Sequence, residues 1–186
     1  MQRNKPVKRS EAWKAVLSRA RKVELLLLDV DGVLTDGSLQ YTDRGDECKR
    51  FSTRDGLGIR LLQESGVQVG VITARTSQIV RRRAEELKMT HLYQGRFDKL
   101  SAYEEILQKT GLRPPQTAYI GDDWIDLPLL NRVGLAVAPA NGAVEIHSRV
   151  HYRTQNSGGD GAVREICDLI MEARGTYASM LARFDT

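Results

Sequence analysis

Aliphatic runs and helix-spaced apolar positions alternate along this chain, and the alternation predicts its elements. Trp13, Val16 and Leu17 lie at helical spacing behind a capping Ser10, which predicts a helix from Ser10 to Arg21 within the N-terminal segment 10–22. Leu25-Leu-Leu-Leu28 is a continuous apolar run, the pattern of a strand buried on both faces, and a first strand is expected from Val23 to Asp29. Leu39-Gln-Tyr41 and Lys49-Arg-Phe51 flank the turn-rich Thr42-Asp-Arg-Gly-Asp46, so segment 38–52 reads as a β-hairpin.

Leu57, Leu61 and Leu62 recur at helical spacing between Gly56 and Glu64, Gly66 stops that helix, and Val67 to Ile72 forms the next strand. A helix from Ser77 to Leu87, a strand from His91 to Tyr93, a helix from Lys99 to Thr110 and a strand from Ala118 to Ile120 continue the series. A short helix, strands near Leu135 to Val137 and Val150 to Tyr152, and a helix from Ala162 to Glu172 complete it. The expected fold is α/β: a Rossmann-like, doubly wound, mostly parallel sheet with helices on both faces. The hairpin is inserted after the first strand, and 1–186 reads as one domain with a flexible tail at 175–186.

The strand ends carry the chemistry. Asp29 and Asp31 follow the first strand, at the edge where open α/β sheets bind ligands. Two carboxylates this close raise one another's pKa unless a cation neutralises them, and a hard divalent metal does so with Gly32 allowing the chain to turn beside it. A lone Asp-x-Asp-Gly is equally a turn or cap. Three further strand or helix boundaries change the balance: Thr73, Lys99, and Gly121-Asp-Asp-Trp-Ile-Asp126. Asp29 is then a candidate nucleophile, and Asp31 a candidate general acid that could afterwards activate water.

Composition excludes more than it adds. The net charge is +4, with 20 Arg against 8 Lys, a bias suited to forked recognition of phosphate or carboxylate. These cations are scattered, Arg81-Arg-Arg83 being the one cluster, and no aromatic stacking pattern accompanies them, so no nucleic acid partner is expected. No apolar stretch nears the roughly 20 residues that span a membrane, and the basic start, Met1 to Ser10, has no apolar signal core behind it; a cytoplasmic protein without a membrane partner is expected. Cys48 and Cys167 have no metal-like spacing and read as reduced thiols, and His147 and His151 sit four apart but do not share a helix face, because His151 falls in the predicted strand Val150 to Tyr152.

The ordered set Asp29-Val-Asp-Gly, Thr73, Lys99 and Gly121-Asp-Asp-Trp-Ile-Asp126 resembles the four motifs of the haloacid dehalogenase superfamily of phosphotransferases. The gap after the first motif holds the hairpin and no cap domain, which resembles the capless branch that hydrolyses the 8-phosphate of 3-deoxy-D-manno-octulosonate in lipopolysaccharide precursor synthesis. Phe51-Ser-Thr-Arg-Asp-Gly-Leu-Gly-Ile-Arg60, His91-Leu-Tyr-Gln-Gly95 and Gly158-Gly-Asp-Gly-Ala-Val-Arg-Glu165 match that branch too. The resemblance implies magnesium on the side chains of Asp29 and Asp122 and the backbone carbonyl of Asp31, with Asp123 and Asp126 in support. It implies Thr73 and Lys99 on the phosphate, and the sugar acid held by Asp31, Ser52, Thr53, Arg54, Asp55, Gly56, Arg60, Arg75, Arg83 and Lys99. It also implies a homotetramer built through the hairpin.

One segment departs from the branch: Ala136-Val-Ala-Pro-Ala-Asn141 has Pro139 where an acid is expected. A nine-carbon sugar acid 9-phosphate is the alternative substrate. A non-catalytic oligomerising domain related to sugar-nucleotide synthetases is the alternative class, opposed by the retention of both Asp29 and Asp31.

Overall fold

The computed structural model describes residues 9–185, and the basic start expected to lack a signal core lies, up to residue 8, outside them. Six parallel strands form one sheet: β1 (Leu25–Leu28), β4 (Gln68–Ile72), β5 (His91–Tyr93), β6 (Thr117–Ile120), β7 (Leu135–Ala138) and β8 (Tyr152–Arg153), in the order β5-β4-β1-β6-β7-β8. The hairpin strands β2 (Gln40–Tyr41) and β3 (Glu47–Cys48) pair antiparallel as a separate sheet. The helices are α1 (Glu11–Ala20), α2 (Thr53–Glu64), α3 (Gln78–Glu86), α4 (Lys99–Thr110), α5 (Leu127–Leu130), α6 (Ala162–Ala173) and α7 (Tyr177–Ala182).

The four leucines of β1 explain the two-sided core. Successive side chains of a strand point to opposite faces. Leu26 and Leu28 join Trp13, Ile59, Leu62 and Ile166 under α1, α2 and α6, while Leu25 and Leu27 join Tyr103, Ile106 and Leu129 under α4 and α5. The doubly wound reading is thus borne out.

Several boundaries differ from expectation. The second hairpin strand is Glu47–Cys48 rather than Lys49 to Phe51, because Gln40 pairs with Cys48 and Tyr41 with Glu47 across a tighter turn. Helix α2 begins at Thr53 rather than Gly56, since the Ser52 hydroxyl accepts from the Asp55 N–H at 3.3 Å and caps it a turn earlier. The last strand is Tyr152–Arg153, and the segment after Gly175 contains α7.

The chain leaves β1 toward β4 and β5 on one side and returns to β6 on the other, so the sheet's switch point falls between β1 and β6. Asp29, just past β1, donates its N–H to the Ile120 carbonyl at 3.0 Å, which locks the ends of these two strands in register.

Candidate active site

The loops after β1 and β6 bring three carboxylates together: oxygens of Asp29, Asp122 and Asp126 lie within 4.8 Å of one another. Gly32 permits this approach. Its φ is +86°, and a Cβ there would sit 2.0 Å from an Asp122 carboxylate oxygen. Gly158 presses on the same turn from the other side, where a Cβ would lie 1.7 Å from the Gly32 carbonyl oxygen. Asn141, two residues past Pro139, holds it there by accepting from the Gly158 N–H at 2.8 Å.

Lys99 enters from the first turn of α4 with its side chain only 1% exposed. Its ammonium reaches Asp29 Oδ2 at 2.9 Å, Asp126 Oδ1 at 2.6 Å and the Tyr119 hydroxyl at 3.1 Å, which occupies all three of its N–H groups. Burial alone would lower its pKa, but the charges of Asp29 and Asp126 outweigh burial and hold the Lys99 pKa above its usual value.

Asp126 has the geometry of a metal ligand and the hydrogen bonds of a strut. Its Oδ1 accepts from Lys99 and from the Tyr119 hydroxyl at 2.5 Å, and its Oδ2 accepts from the N–H groups of Asp122 and Asp123 at 2.9 and 3.1 Å. With both oxygens so engaged it shapes the loop that carries Asp122. Asp123 points away and accepts from the Trp124 N–H at 2.7 Å.

Charge is left over at the centre. Burial, then the carboxylate of Asp126, pushes Asp29 up to about 6 against the pull of Lys99, and burial with Asp126 and Asp29 pushes Asp122 up to about 7. Three carboxylates share one ammonium, and among the described residues no donor reaches the side chain of Asp122. A small divalent cation with oxygen ligands fits this donor set.

Thr73 ends β4 buried at the same edge, its Oγ1 accepting from the Arg75 N–H at 3.4 Å. Asp31 contacts the Lys49 ammonium and lies 3.6 Å from Arg75 Nε. Arg83 covers the start of α2, with Nη2 3.5 Å from the Ser52 carbonyl; Gly56 admits it, because a Cβ there would fall 2.4 Å from that nitrogen. Thr53 is exposed beside them.

Three residues expected around the sugar acid are placed elsewhere. The buried carboxylate of Asp55 turns into the protein and accepts from the N–H groups of Arg164 at 2.7 Å and Gly161 at 3.3 Å, capping α6. Arg54 faces a different cleft, beside Trp13, Tyr152 and Asp160. Arg60 lies 4.0 Å from Glu64 and lines a cleft with Gly66, Val67 and Thr90, at the end of β4 opposite Thr73. Helical geometry accounts for all three: successive residues of α2 diverge by about 100°, which turns Arg54 and Asp55 to other faces, while Arg60 shares the face of Thr53 but sits roughly two turns further along the axis. Lys49, Glu47 and Tyr119 were missed; a lysine in a turn-rich hairpin and a tyrosine in a buried strand carry no pattern that marks them. The ring of His151 supports the sheet, accepting from the Ala136 N–H at 2.9 Å.

A family model of haloacid dehalogenase-like hydrolases matches residues 88–166. The 3-deoxy-D-manno-octulosonate 8-phosphate phosphatase of Yersinia pestis is 48% identical over 159 residues, covering 86% of this chain and 85% of that protein. The enzyme of the same name from Moraxella catarrhalis, solved with magnesium, phosphate and KDO, superposes with a TM-score of 0.89 at 39% identity, covering 91% of this chain and 97% of that one. A cobalt-bound deoxy-D-mannose-octulosonate 8-phosphate phosphatase from Haemophilus influenzae gives 0.84 at 36% identity, over 88% and 99%.

Proposed function

The chain belongs to the haloacid dehalogenase-like hydrolases, and from that premise we propose that it is a magnesium-dependent phosphatase cleaving 3-deoxy-D-manno-octulosonate 8-phosphate to the free sugar acid and phosphate. The observation that carries this reading is the buried Lys99 shared between Asp29 and Asp126, with Asp122 alongside. Asp29, on the rigid end of β1, attacks phosphorus in line with the leaving sugar oxygen and becomes an aspartyl phosphate. Asp31 protonates that oxygen and then takes a proton from the attacking water. Lys99 neutralises Asp29 and orients its free lone pair. Thr73 offers its hydroxyl to a phosphate oxygen.

Asp29, Asp122 and the carbonyl of Asp31 would hold magnesium, which would supply positive charge against the phosphoryl oxygens. Ser52, Thr53, Gly56, Arg75 and Arg83 would hold the sugar acid, the guanidinium groups suiting a substrate that bears both carboxylate and phosphate.

The hairpin supports a homotetramer. Its strands are two residues each, Leu39 and Tyr41 are about half exposed, and so small a ribbon gains its stability from packing on something else. The two free cysteines suit the cytoplasm, and among the described residues no helix is long and apolar enough to cross a membrane.

The decisive experiment measures phosphate release from eight- and nine-carbon sugar acid phosphates with and without magnesium, in the natural protein and in Asp29→Asn. Magnesium-dependent hydrolysis favouring the eight-carbon ester, abolished in the variant, is expected. Undiminished turnover by Asp29→Asn would exclude the nucleophile, and preference for the nine-carbon ester would replace the substrate.

A further inference from the structure

A buried carboxylate outside the strand-end cleft has no role so far. Glu165 lies in the first turn of α6, 9% exposed, and its oxygens accept from the Tyr152 hydroxyl at 2.6 Å, the Gln155 N–H at 3.0 Å, the Asn156 N–H at 3.1 Å and Asn156 Nδ2 at 2.6 Å. Three of these four donors belong to the loop between β8 and α6. The helix does not need Glu165 as a cap, because Asp55 already accepts from the N–H groups of Gly161 and Arg164. Its hydrogen bonds therefore serve the loop.

From Asn156 that loop runs against the turn after β1. The Asn156 carbonyl accepts from the Ala140 N–H at 3.1 Å, and the Gly159 N–H donates to the Val33 carbonyl at 2.9 Å. Gly158 abuts the Gly32 carbonyl, and a Cβ on Gly159 would lie 2.5 Å from the carbonyl carbon of Thr35, so backbone touches backbone with no side chain between to absorb a shift. Glycines bring no packing of their own, and such a loop keeps its place only through anchors from outside. Any displacement passes to Gly32, which borders the Asp122 carboxylate, and to its neighbour Asp31. We propose that Glu165 is a positioning residue for the magnesium site: by holding the loop 155–159 against the turn at Gly32, it fixes the spacing between the Asp31 carbonyl and the Asp122 carboxylate. This rests on the phosphatase reading above. The effect belongs to metal affinity rather than to the chemical step.

The test titrates magnesium into the full-length protein by calorimetry, without substrate, and then follows phosphate release at saturating magnesium. Glu165→Gln keeps the shape but turns one acceptor into a donor facing N–H groups; the magnesium dissociation constant should rise about 10–100-fold, and saturating magnesium should recover most of kcat with KM little changed. Asn156→Ala removes one of the loop's bonds and should shift the constant in the same direction by a smaller factor. Tyr103→Phe is the control for stability alone: it deletes the buried 2.8 Å hydrogen bond to Thr117, at the opposite end of β6, and should leave the constant unaltered. An unaltered constant in Glu165→Gln, or in Asn156→Ala if only that variant folds, overturns the proposal, as does equal weakening in Tyr103→Phe. If neither loop variant folds, these bonds serve folding alone and the proposal falls. A natural protein that binds no magnesium, or binds it and hydrolyses no sugar acid phosphate, instead overturns the phosphatase reading, which is a different result from any of these.

Discussion

Magnesium and protons compete for the same carboxylates, and the competition has a definite size. Asp29 stands at about 6 and Asp122 at about 7, each above its usual value of 3.8. The sign follows: carboxyls raised in the folded protein favour folding at acid pH, and that contribution disappears as pH rises through about 6 to 7. Magnesium binds only the deprotonated pair. With two such groups the apparent dissociation constant should weaken about 10³-fold from pH 8 to pH 5, roughly 4 kcal/mol, with nearly two protons released per ion bound at the acid end. At a fixed millimolar magnesium concentration the melting temperature should rise by several degrees at pH 8 and scarcely move at pH 5, at ~2–4 °C per kcal/mol for a chain of this size. Thermal melts across this pH range, with calorimetry in buffers of different ionisation enthalpy, read both quantities. A magnesium-induced shift that is constant with pH, or larger at pH 5, would refute the reasoning.

Three substitutions probe other parts of the site. Gly32→Ala places a methyl group against the Asp122 carboxylate at a positive φ; the magnesium concentration for half-maximal activity should rise about 10–100-fold, and an unchanged value would mean that Asp122 is not a ligand. Tyr119→Phe removes the 2.5 Å hydrogen bond to Asp126; kcat should fall about tenfold with KM little changed, and stability by about 1–2 kcal/mol, whereas a loss of stability alone would make the hydroxyl a packing detail. Asp55→Ala uncaps α6; the melting temperature should drop by about 1–8 °C for a loss of about 0.5–2 kcal/mol with KM retained, and a raised KM at unchanged stability would return Asp55 to the substrate.

What the sequence made legible follows physical rules. The leucine run of β1 and the spacing of α4 are repetitive signals, and His91–Tyr93 and Lys99–Thr110 fall where the pattern places them. The carboxylates were legible because strand ends in such sheets converge on one edge. The contiguous motif from Ser52 to Arg60 does not stay together in space: Arg54 and Asp55 turn to other faces of α2, and Arg60 lies roughly two turns along it. Lys49 and Glu47 stayed hidden for the opposite reason. Their meaning lies in contacts across the fold, with Asp31 and Arg75, that no local spacing encodes.

The two aspartates of the first motif depend on parts of very different durability. Asp29 hangs from β1, flanked by a strand on either side at the middle of the sheet, whereas Lys49 rides on a four-residue ribbon outside it. Local opening starts where few contacts hold, so warming loosens the ribbon well before the central strands. A partly heated enzyme would then keep Asp29 in place while losing the buried cation that holds Asp31.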